Sequence, residues 1–274
     1  MIGAIIGDMA GSRFEHHPHR EGIDPLDFPL FSAASRFTDD TVMSIAVSQA
    51  LMDAGGDPDK MREACALRFK EFGRRYPRAG YGGRFKKWLA SEDLSPLGSF
   101  GNGSAMRVSP VGWSCGTLEE TERMARASAE ATHNHPEGVK GACSVACAIF
   151  LARQGQSQKE IRRHLQRTYG YSLDRSLDEI GNTGFDVTCQ GSVPQAIICA
   201  LETSSFEDAV RSAILLRGDA DTQGAIAGSI AEALWGVPQE LFNEATRRLD
   251  RFLLDGLGRW LAWIGEGQSG GLRQ

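Results

Sequence analysis

The sequence predicts an all-α protein, and three observations predict it. Apolar residues recur at helical spacing in one segment after another. Those segments open on Ser, Thr or Asp and stop at glycine, the residues that cap helices. Nowhere does a two-residue alternation persist long enough to mark a strand. At 274 residues the chain can bury a substantial core, as one large domain or two smaller ones. No Pro/Ser linker, charge block or repeat divides it. A single domain over 1–264 is expected, followed by a disordered Gly/Gln tail, 265–274.

The first helix carries Gly3, Gly7 and Gly11 every four residues. Each weakens helix propensity by about 1 kcal/mol, so the stripe should serve close packing or ligand approach. Asp8 lies beside it, and Glu15 follows where the helix gives out. The His16-His17-Pro18-His19 run after it reads better as solvated surface than as a metal site. A second helix opens at Phe37-Thr38-Asp39-Asp40-Thr41 and runs through Val42, Ile45, Ala46 and Ala50 to Gly55-Gly56. Thr38 suits the N-cap, with Asp39 and Asp40 in the first turn; a cap of this kind stabilises by about 1 kcal/mol.

Residues 57–75 form an amphipathic helix with Met61, Cys65, Phe69 and Phe72 inside. The Gly80-Tyr81-Gly82-Gly83 turn precedes a short helix bearing Phe85 and Trp88. Segment 95–107 is glycine-rich, and its backbone N–H groups around Ser99, Asn102 and Ser104 are able to converge on an anion. Thr117 with Glu120 reads as a capping box for a helix reaching Thr132-His133, where a histidine also complements the helix dipole. Pro136 starts a long apolar helix ending at Gly155. Ser157 with Glu160 caps the next, which stops at Gly170. Ser192-Val193-Pro194-Gln195 opens another, and Ser205 with Asp208 one more. The last helix runs from Pro238 through Trp263.

Between these two lies Gly218-Asp219-Ala220-Asp221-Thr222, at the mouth of a helix expected over about Thr222–Trp235. Its Gly224, Ala227, Gly228 and Ala231 permit close backbone approach, which suits a central helix. Carboxylates at the mouth of a central helix cost several kcal/mol unless positive charge balances them. No lysine lies nearby, and Arg217 alone does not offset both acidic stretches if they meet. A hard divalent cation such as Mg²⁺ or Mn²⁺ would, taking oxygen ligands from carboxylates and hydroxyls. The simpler alternative, two helix caps and nothing more, stays open at this point.

Composition narrows the function. A formal net charge of −5 argues against non-specific nucleic-acid binding. The six cysteines show no CxxC spacing and read as reduced core residues, not as a zinc site or a disulfide framework. The N-terminus lacks a basic region, and Asp8 interrupts its apolar run, so neither a signal peptide nor a membrane span is expected. A cytoplasmic monomer is the expectation.

Taken in order, these motifs resemble the ADP-ribosylglycohydrolase family. The resemblance runs from Gly3 to about Leu254. It rests on Gly7-Asp8…Gly11…Glu15, Thr38-Asp39-Asp40-Thr41, Gly80-Tyr81-Gly82, Gly101-Asn102-Gly103-Ser104-Ala105-Met106-Arg107, Thr132-His133 and Gly218-Asp219-Ala220-Asp221-Thr222. It implies a compact orthogonal multi-helix bundle with a central dinuclear Mg²⁺ site, Mn²⁺ being a possible substitute. Thr38, Asp39, Asp40, Asp219, Asp221 and Thr222 fall on its metal-binding positions. Glu15 falls on the glutamate of a mobile loop over the site. Gly98, Ser99, Phe100, Gly101 and Asn102 match the loop for the diphosphate and adenosine, and His133 a residue of the ribose pocket. Gly83, Gly103, Ser104 and Met106 complete the expected ligand-binding set.

The activity so implied is hydrolysis of the glycosidic bond between ADP-ribose and a protein side chain. Carboxylates stabilise the oxocarbenium character that develops at ribose C1″, and one activates water; Glu15 and Asp40 are both candidates. Arginine adducts are favoured over serine adducts, because an acidic rim of Glu15, with Asp186 folded near it, would attract a guanidinium. Arg217 is expected in an ion pair outside the site, and Phe100 offers adenine a stacking face. The alternatives are a hydrolase of small ADP-ribose derivatives and a non-catalytic, crystallin-like relative; the intact acidic motifs argue against the latter.

Overall fold

Two helices meet backbone to backbone at the centre, and the site stands where they end. The computed structural model describes residues 1–15, 28–181 and 184–270. Helix α1 (Ile2–Gly11) is buried along its whole length. It lies antiparallel against a helix over Ala220–Trp235, with Gly3, Gly7 and Gly11 opposite Gly228, Gly224 and Ala220. A Cβ on Gly7 would stand 2.0 Å from the Gly224 carbonyl oxygen, and one on Gly3 would stand 2.2 Å from that of Gly228. The glycine stripe therefore serves packing. Because the pair is antiparallel, Asp8 near the end of α1 faces Asp219–Thr222 at the start of its partner.

Around this pair stand α2 (Asp39–Ala54), α3 (Pro58–Arg75), α4 (Gly83–Ala90), α5 (Gly103–Met106), α6 (Ser109–Ser114) and α7 (Leu118–Glu130). They are followed by α8 (Pro136–Arg153), α9 (Gln158–Tyr169), α10 (Leu177–Ile180), α11 (Cys189–Glu202) and α12 (Phe206–Leu215). The central partner is α13 (Ala220–Trp235), and α14 (Gln239–Thr246) and α15 (Arg251–Gly270) close the chain. The described residues contain no strand; one antiparallel bridge ties Gly101 to Thr188. One apolar core draws on helices from α1 to α15. No described helix is long and apolar enough to cross a membrane.

The caps form much as expected. Thr38 accepts from the Asp40 amide, Gly55 ends α2 in the left-handed region at φ 58°, and Ser157 with Glu160 makes a reciprocal box. Thr117 makes only half of one. Its hydroxyl takes the Glu120 amide, but the Glu120 carboxylate reaches past it to the Gly116 amide at 2.9 Å.

Two boundaries differ from expectation. Helix α11 opens at Thr188, whose hydroxyl accepts from the Gly191 amide at 3.1 Å, and it continues through Pro194. Ser-Val-Pro imitates a helix start because proline suits the first turn. The expected Pro238–Trp263 helix is broken over 247–250, where Asp250 recaps the chain by accepting from the Leu253 amide at 3.1 Å. Helix α15 then carries helical backbone through Gly270, beyond the expected start of the tail, and 271–274 lie outside the described residues.

Candidate metal centre and ligand cavity

Asp8 organises the acidic centre. Fully buried, it accepts from the Thr38 amide at 2.9 Å, the Thr41 amide at 3.0 Å, the Thr38 hydroxyl at 2.7 Å and, in a short bond, the Thr41 hydroxyl. It thus ties the start of α2 to the end of α1. Burial pushes its carboxyl up to about 6, against the pull of those four bonds. With both threonines facing Asp8, the two aspartates between them are free for other work. Asp39 lines the cavity, and Asp40 Oδ1 is buried without a hydrogen-bond partner.

Helix α13 supplies the opposing acids. Asp219 stands at its N-cap without capping it by side chain, and its Oδ2 accepts from Asn102 Nδ2 at 2.7 Å. Asn102 is steadied in turn by the Ser192 hydroxyl at 3.1 Å. Asp221 turns one oxygen to the Thr222 amide at 2.9 Å. Together these acids make two triads, Asp8/Asp40/Asp221 and Glu15/Asp219/Asp221, each with ligand oxygens within 4.8 Å of one another. Asp221 belongs to both.

Their electrostatics ask for a cation. Burial, then the neighbouring carboxylates, raise Asp40 and Asp221 well above the ordinary range, and the same causes lift Asp39 to about 8. Among the described residues no lysine or arginine forms an ion pair with Asp8, Asp39, Asp40 or Asp221. An orphaned buried carboxylate oxygen inside a cluster of hard oxygen donors fits a divalent ion. The two triads would hold two, with Asp221 between them.

A pH dependence follows for the metal-free protein. These carboxyls have folded pKa values above their unfolded ones, so ionisation opposes folding. That stability is fully present below about pH 4 and is lost as pH rises, through about 6 for Asp8 and about 8 for Asp39. Thermal melts at low ionic strength should show Tm falling over that window, and added divalent ion should remove most of the fall. A metal-free Tm that rises steadily from pH 4 to 8 would contradict the electrostatic reading.

From the carboxylates a cavity of about 400 Å³ extends over the glycine-rich segment. Its far wall includes His133, which is buried with its proton affinity lowered well below normal, first by burial and then by Arg107. Arg107 is itself fully buried, with its guanidinium 4.0 Å from the centre of the Phe69 ring. It donates to the Thr132 hydroxyl at 2.7 Å and approaches His133 Nδ1 at 3.4 Å, while the Thr132 hydroxyl lies 2.8 Å from the same nitrogen. Arginine only donates, so Nδ1 accepts and Nε2 carries the proton. Nε2 points to the gap between Gly101 and Gly103, where a Cβ would stand 3.7 and 3.1 Å away. A neutral N–H donor is thereby presented at the cavity floor.

Residues 1–265 match the family model of ADP-ribosylglycohydrolase. The chain belongs to that family. It is an enzyme, an ADP-ribosyl hydrolase. The chain is 29% identical to the ADP-ribosylhydrolase ARH3 of Mus musculus, spanning 87% of this chain and 83% of that one. The Homo sapiens protein is 28% identical over 87% and 85%. The ADP-ribosylarginine hydrolase Tri1 of Pseudomonas putida is 26% identical over 86% and 70%. Among solved structures, a chain of an ADP-ribosylglycohydrolase-related protein complex superposes with TM-score 0.66 at 23% identity, covering 97% of each chain, a likeness of fold.

Most of the residues expected for a family member come together. Glu15, Asp39, Asp40, Asp219, Asp221 and Thr222 line the cavity at its acidic end, and Gly83, Ser99, Gly101, Asn102, Gly103, Met106 and His133 line the rest. Others stand elsewhere. Gly98 is outside the lining, Ser104 is buried on the Gly138 carbonyl at 2.7 Å, and the Thr38 hydroxyl is committed to Asp8. Phe100 turns its ring to His135 at 5.3 Å and is outside the lining, whose aromatic rings are those of Phe85 and Phe185. Asp186 is outside the cavity lining, and its carboxylate accepts from the Thr188 amide at 2.7 Å, at the start of α11.

The anion nest is only partly available. The Gly98, Ser99, Gly101 and Asn102 amides are bonded to Asn134 Oδ1, the Thr132 carbonyl, the Ser99 hydroxyl and the Val187 carbonyl respectively. Arg217 is exposed in the left-handed region at φ 60°, lies outside the cavity lining and makes no ion pair among the described residues. The expected ion pair is absent there, and the site uses its backbone turn to present Asp219. The His16-His17-Pro18-His19 run lies outside the described residues. Asp8, Arg84, Phe85, Arg107, Phe185 and Val187 were not among the expected site residues. Asp8 and Arg107 sit inside motifs that sequence reasoning had already singled out.

Proposed function

We propose that this hydrolase cleaves the bond between C1″ of ADP-ribose and a protein side chain, preferring arginine adducts to serine adducts, with two Mg²⁺ ions that Mn²⁺ can replace. The observation that carries this reading is the pair of carboxylate triads sharing Asp221 at one end of a nucleotide-sized cavity. In this reading Asp8, Asp40, Asp219, Asp221 and Glu15 hold the ions, with Thr38, Asp39 and Thr222 bordering them. When bound, the ions supply Lewis-acid polarisation at the ribose and offset the carboxylate charge.

The chain's own groups divide the remaining work. His133 Nε2–H and the Asn102 side chain bracket the ribose, and Met106 packs beneath it. Arg84, held on the Leu97 carbonyl at 2.5 Å, and Arg107 bring positive charge to the glycine-rich side, where a diphosphate needs it. They take over what the occupied amides do not provide. The exposed Phe185 ring gives adenine a stacking face. Glu15, half-buried at the mouth, would ligate through one oxygen and with the other take a proton from the attacking water, returning it to the departing side-chain atom as the bond to C1″ breaks; Asp40, enclosed at 3% exposure, remains a ligand.

Charge supports arginine. Six carboxylates gather at the acidic end, and two divalent ions offset four of their charges, leaving a field that favours a guanidinium. Arg217 stays out of the cavity, and the two arginines that line it, Arg84 and Arg107, are assigned here to the diphosphate on the glycine-rich side. The Tri1 relative, named for ADP-ribosylarginine, agrees. The test is a side-by-side assay on arginine-modified and serine-modified peptides, where faster release from the arginine peptide is expected. Release from the serine peptide alone overturns the preference. Release from neither, with free ADP-ribose derivatives cleaved, replaces the protein adduct with a small substrate.

A further inference from the structure

A second cleft, of about 500 Å³, adjoins the acidic end on the side away from the glycine-rich segment. It shares Glu15 and Gly80 with the main cavity. The wall between them is the start of α2, pinned by the Asp39 amide on the Ala79 carbonyl at 2.9 Å. Three arginines line it, Arg36, Arg75 and Arg78, all exposed and none in an ion pair among the described residues. Its sides include Phe37 and Tyr76, half-buried and packed edge to face at 5.9 Å. Glu15 lines the end shared with the main cavity, Asp250 accepts from the Tyr76 hydroxyl at 2.8 Å, and Arg75 stacks on Phe252 at 4.1 Å. Three cations without an ion pair among the described residues, with Glu15 the acid in the lining, are unexpected on a chain of net charge −5, beside a centre that is itself acidic.

Its place gives the cluster a use. With ADP-ribose in the main cavity and C1″ at the carboxylates, the leaving side chain emerges at Glu15 and Gly80, where the second cleft begins. We infer that this cleft docks the modified polypeptide through acidic residues flanking the ADP-ribosylated side chain, with Arg36 and Arg78 as the main contacts and the Phe37–Tyr76 pair supporting its apolar stems. The inference rests on the hydrolase reading above. It adds a basis for target choice, because opposite charge across a rim contributes more to encounter and selectivity than to raw affinity.

The test compares wild type with the double variant R36E/R78E, both positions being exposed. Arg75 is left in place because its stack on Phe252 belongs to the packing. Three substrates are used: an ADP-ribosylated peptide with Asp/Glu flanks, the same peptide with Asn/Gln flanks, and ADP-ribosylated free amino acid. In wild type, kcat/KM should be about tenfold higher for the acidic than for the neutral peptide at low salt, and the gap should narrow at 0.5 M salt. In the variant that gap should close or reverse, while turnover of the free amino acid conjugate stays within about twofold of wild type.

Equal loss on all three substrates would mean the arginines serve the fold or the main cavity, and would overturn the inference. No difference between the acidic and neutral peptides in wild type would overturn it as well. So would relief of inhibition by a short single-stranded oligonucleotide in the variant without any change in peptide preference, which would make the cleft a nucleic-acid surface. Failure of the hydrolase reading is separate, since wild type would then release ADP-ribose from none of the three.

Discussion

Replacing Asp221 with alanine is expected to lower turnover about a thousandfold and to reduce bound divalent metal from two ions per chain to less than one. Asp221 is the carboxylate common to both triads, so its loss opens both at once. Several kcal/mol of transition-state stabilisation depend on correctly held metal, and about 4 kcal/mol corresponds to a factor near 10³. The fold should survive. The ionised Asp221 is opposed by burial and by Asp40 and Asp219, so the metal-free variant should melt at or above the metal-free wild type. Asp39→Ala and Asp40→Ala should also remove most turnover with helical circular dichroism intact. If all three variants unfolded, the acidic stretches would be structural caps.

Gly7→Ala is expected to give the largest loss of stability of any single methyl addition. The new Cβ would lie 2.0 Å from the Gly224 carbonyl oxygen and 2.7 Å from the Ala225 amide nitrogen, and backbone cannot step aside as a side chain can. Overpacking commonly costs 1–3 kcal/mol, and a clash of backbone against backbone should reach at least about 3 kcal/mol. In a chain of this size that lowers Tm by about 6–12 °C. Activity should fall with it, because the residue beside the clash is Asp8, whose oxygens bind the start of α2. Gly82→Ala, where a Cβ meets nothing within 4 Å, is the control and should change Tm little. An unchanged Tm in Gly7→Ala would mean the two helices can separate freely.

What could be read in the sequence was local. Thr38 as a cap, the stop at Gly55, the Ser157–Glu160 box and the helices themselves depend on residues within one turn of each other. The glycine stripes of α1 and α13 announced close packing, though not that they pack on each other. Asp8 escaped because its four donors come from Thr38 and Thr41, some thirty positions later, and an aspartate beside a glycine stripe carries no sign of them. The anion nest was overread because the competing partners of its amides, Thr132, Asn134 and Val187, lie on other segments. Phe185 stood in a stretch without helical spacing, and the bridge between Gly101 and Thr188 brings that stretch to the cavity. Pro194 shows the opposite failure, where a strong local signal for a helix start was overridden by a cap six residues earlier.

In the proposed reading, acids from α1, the start of α2 and the start of α13 form one dinuclear metal centre that runs the hydrolysis. Its most direct test measures metal content and ADP-ribose release on the same sample, before chelation, after exhaustive chelation and after readdition of Mg²⁺ or Mn²⁺. Two ions per chain are expected at the start, with loss of both metal and turnover on chelation, a lower Tm near neutral pH, and recovery of all three on readdition. Full turnover in a sample shown by elemental analysis to hold no divalent metal would contradict it.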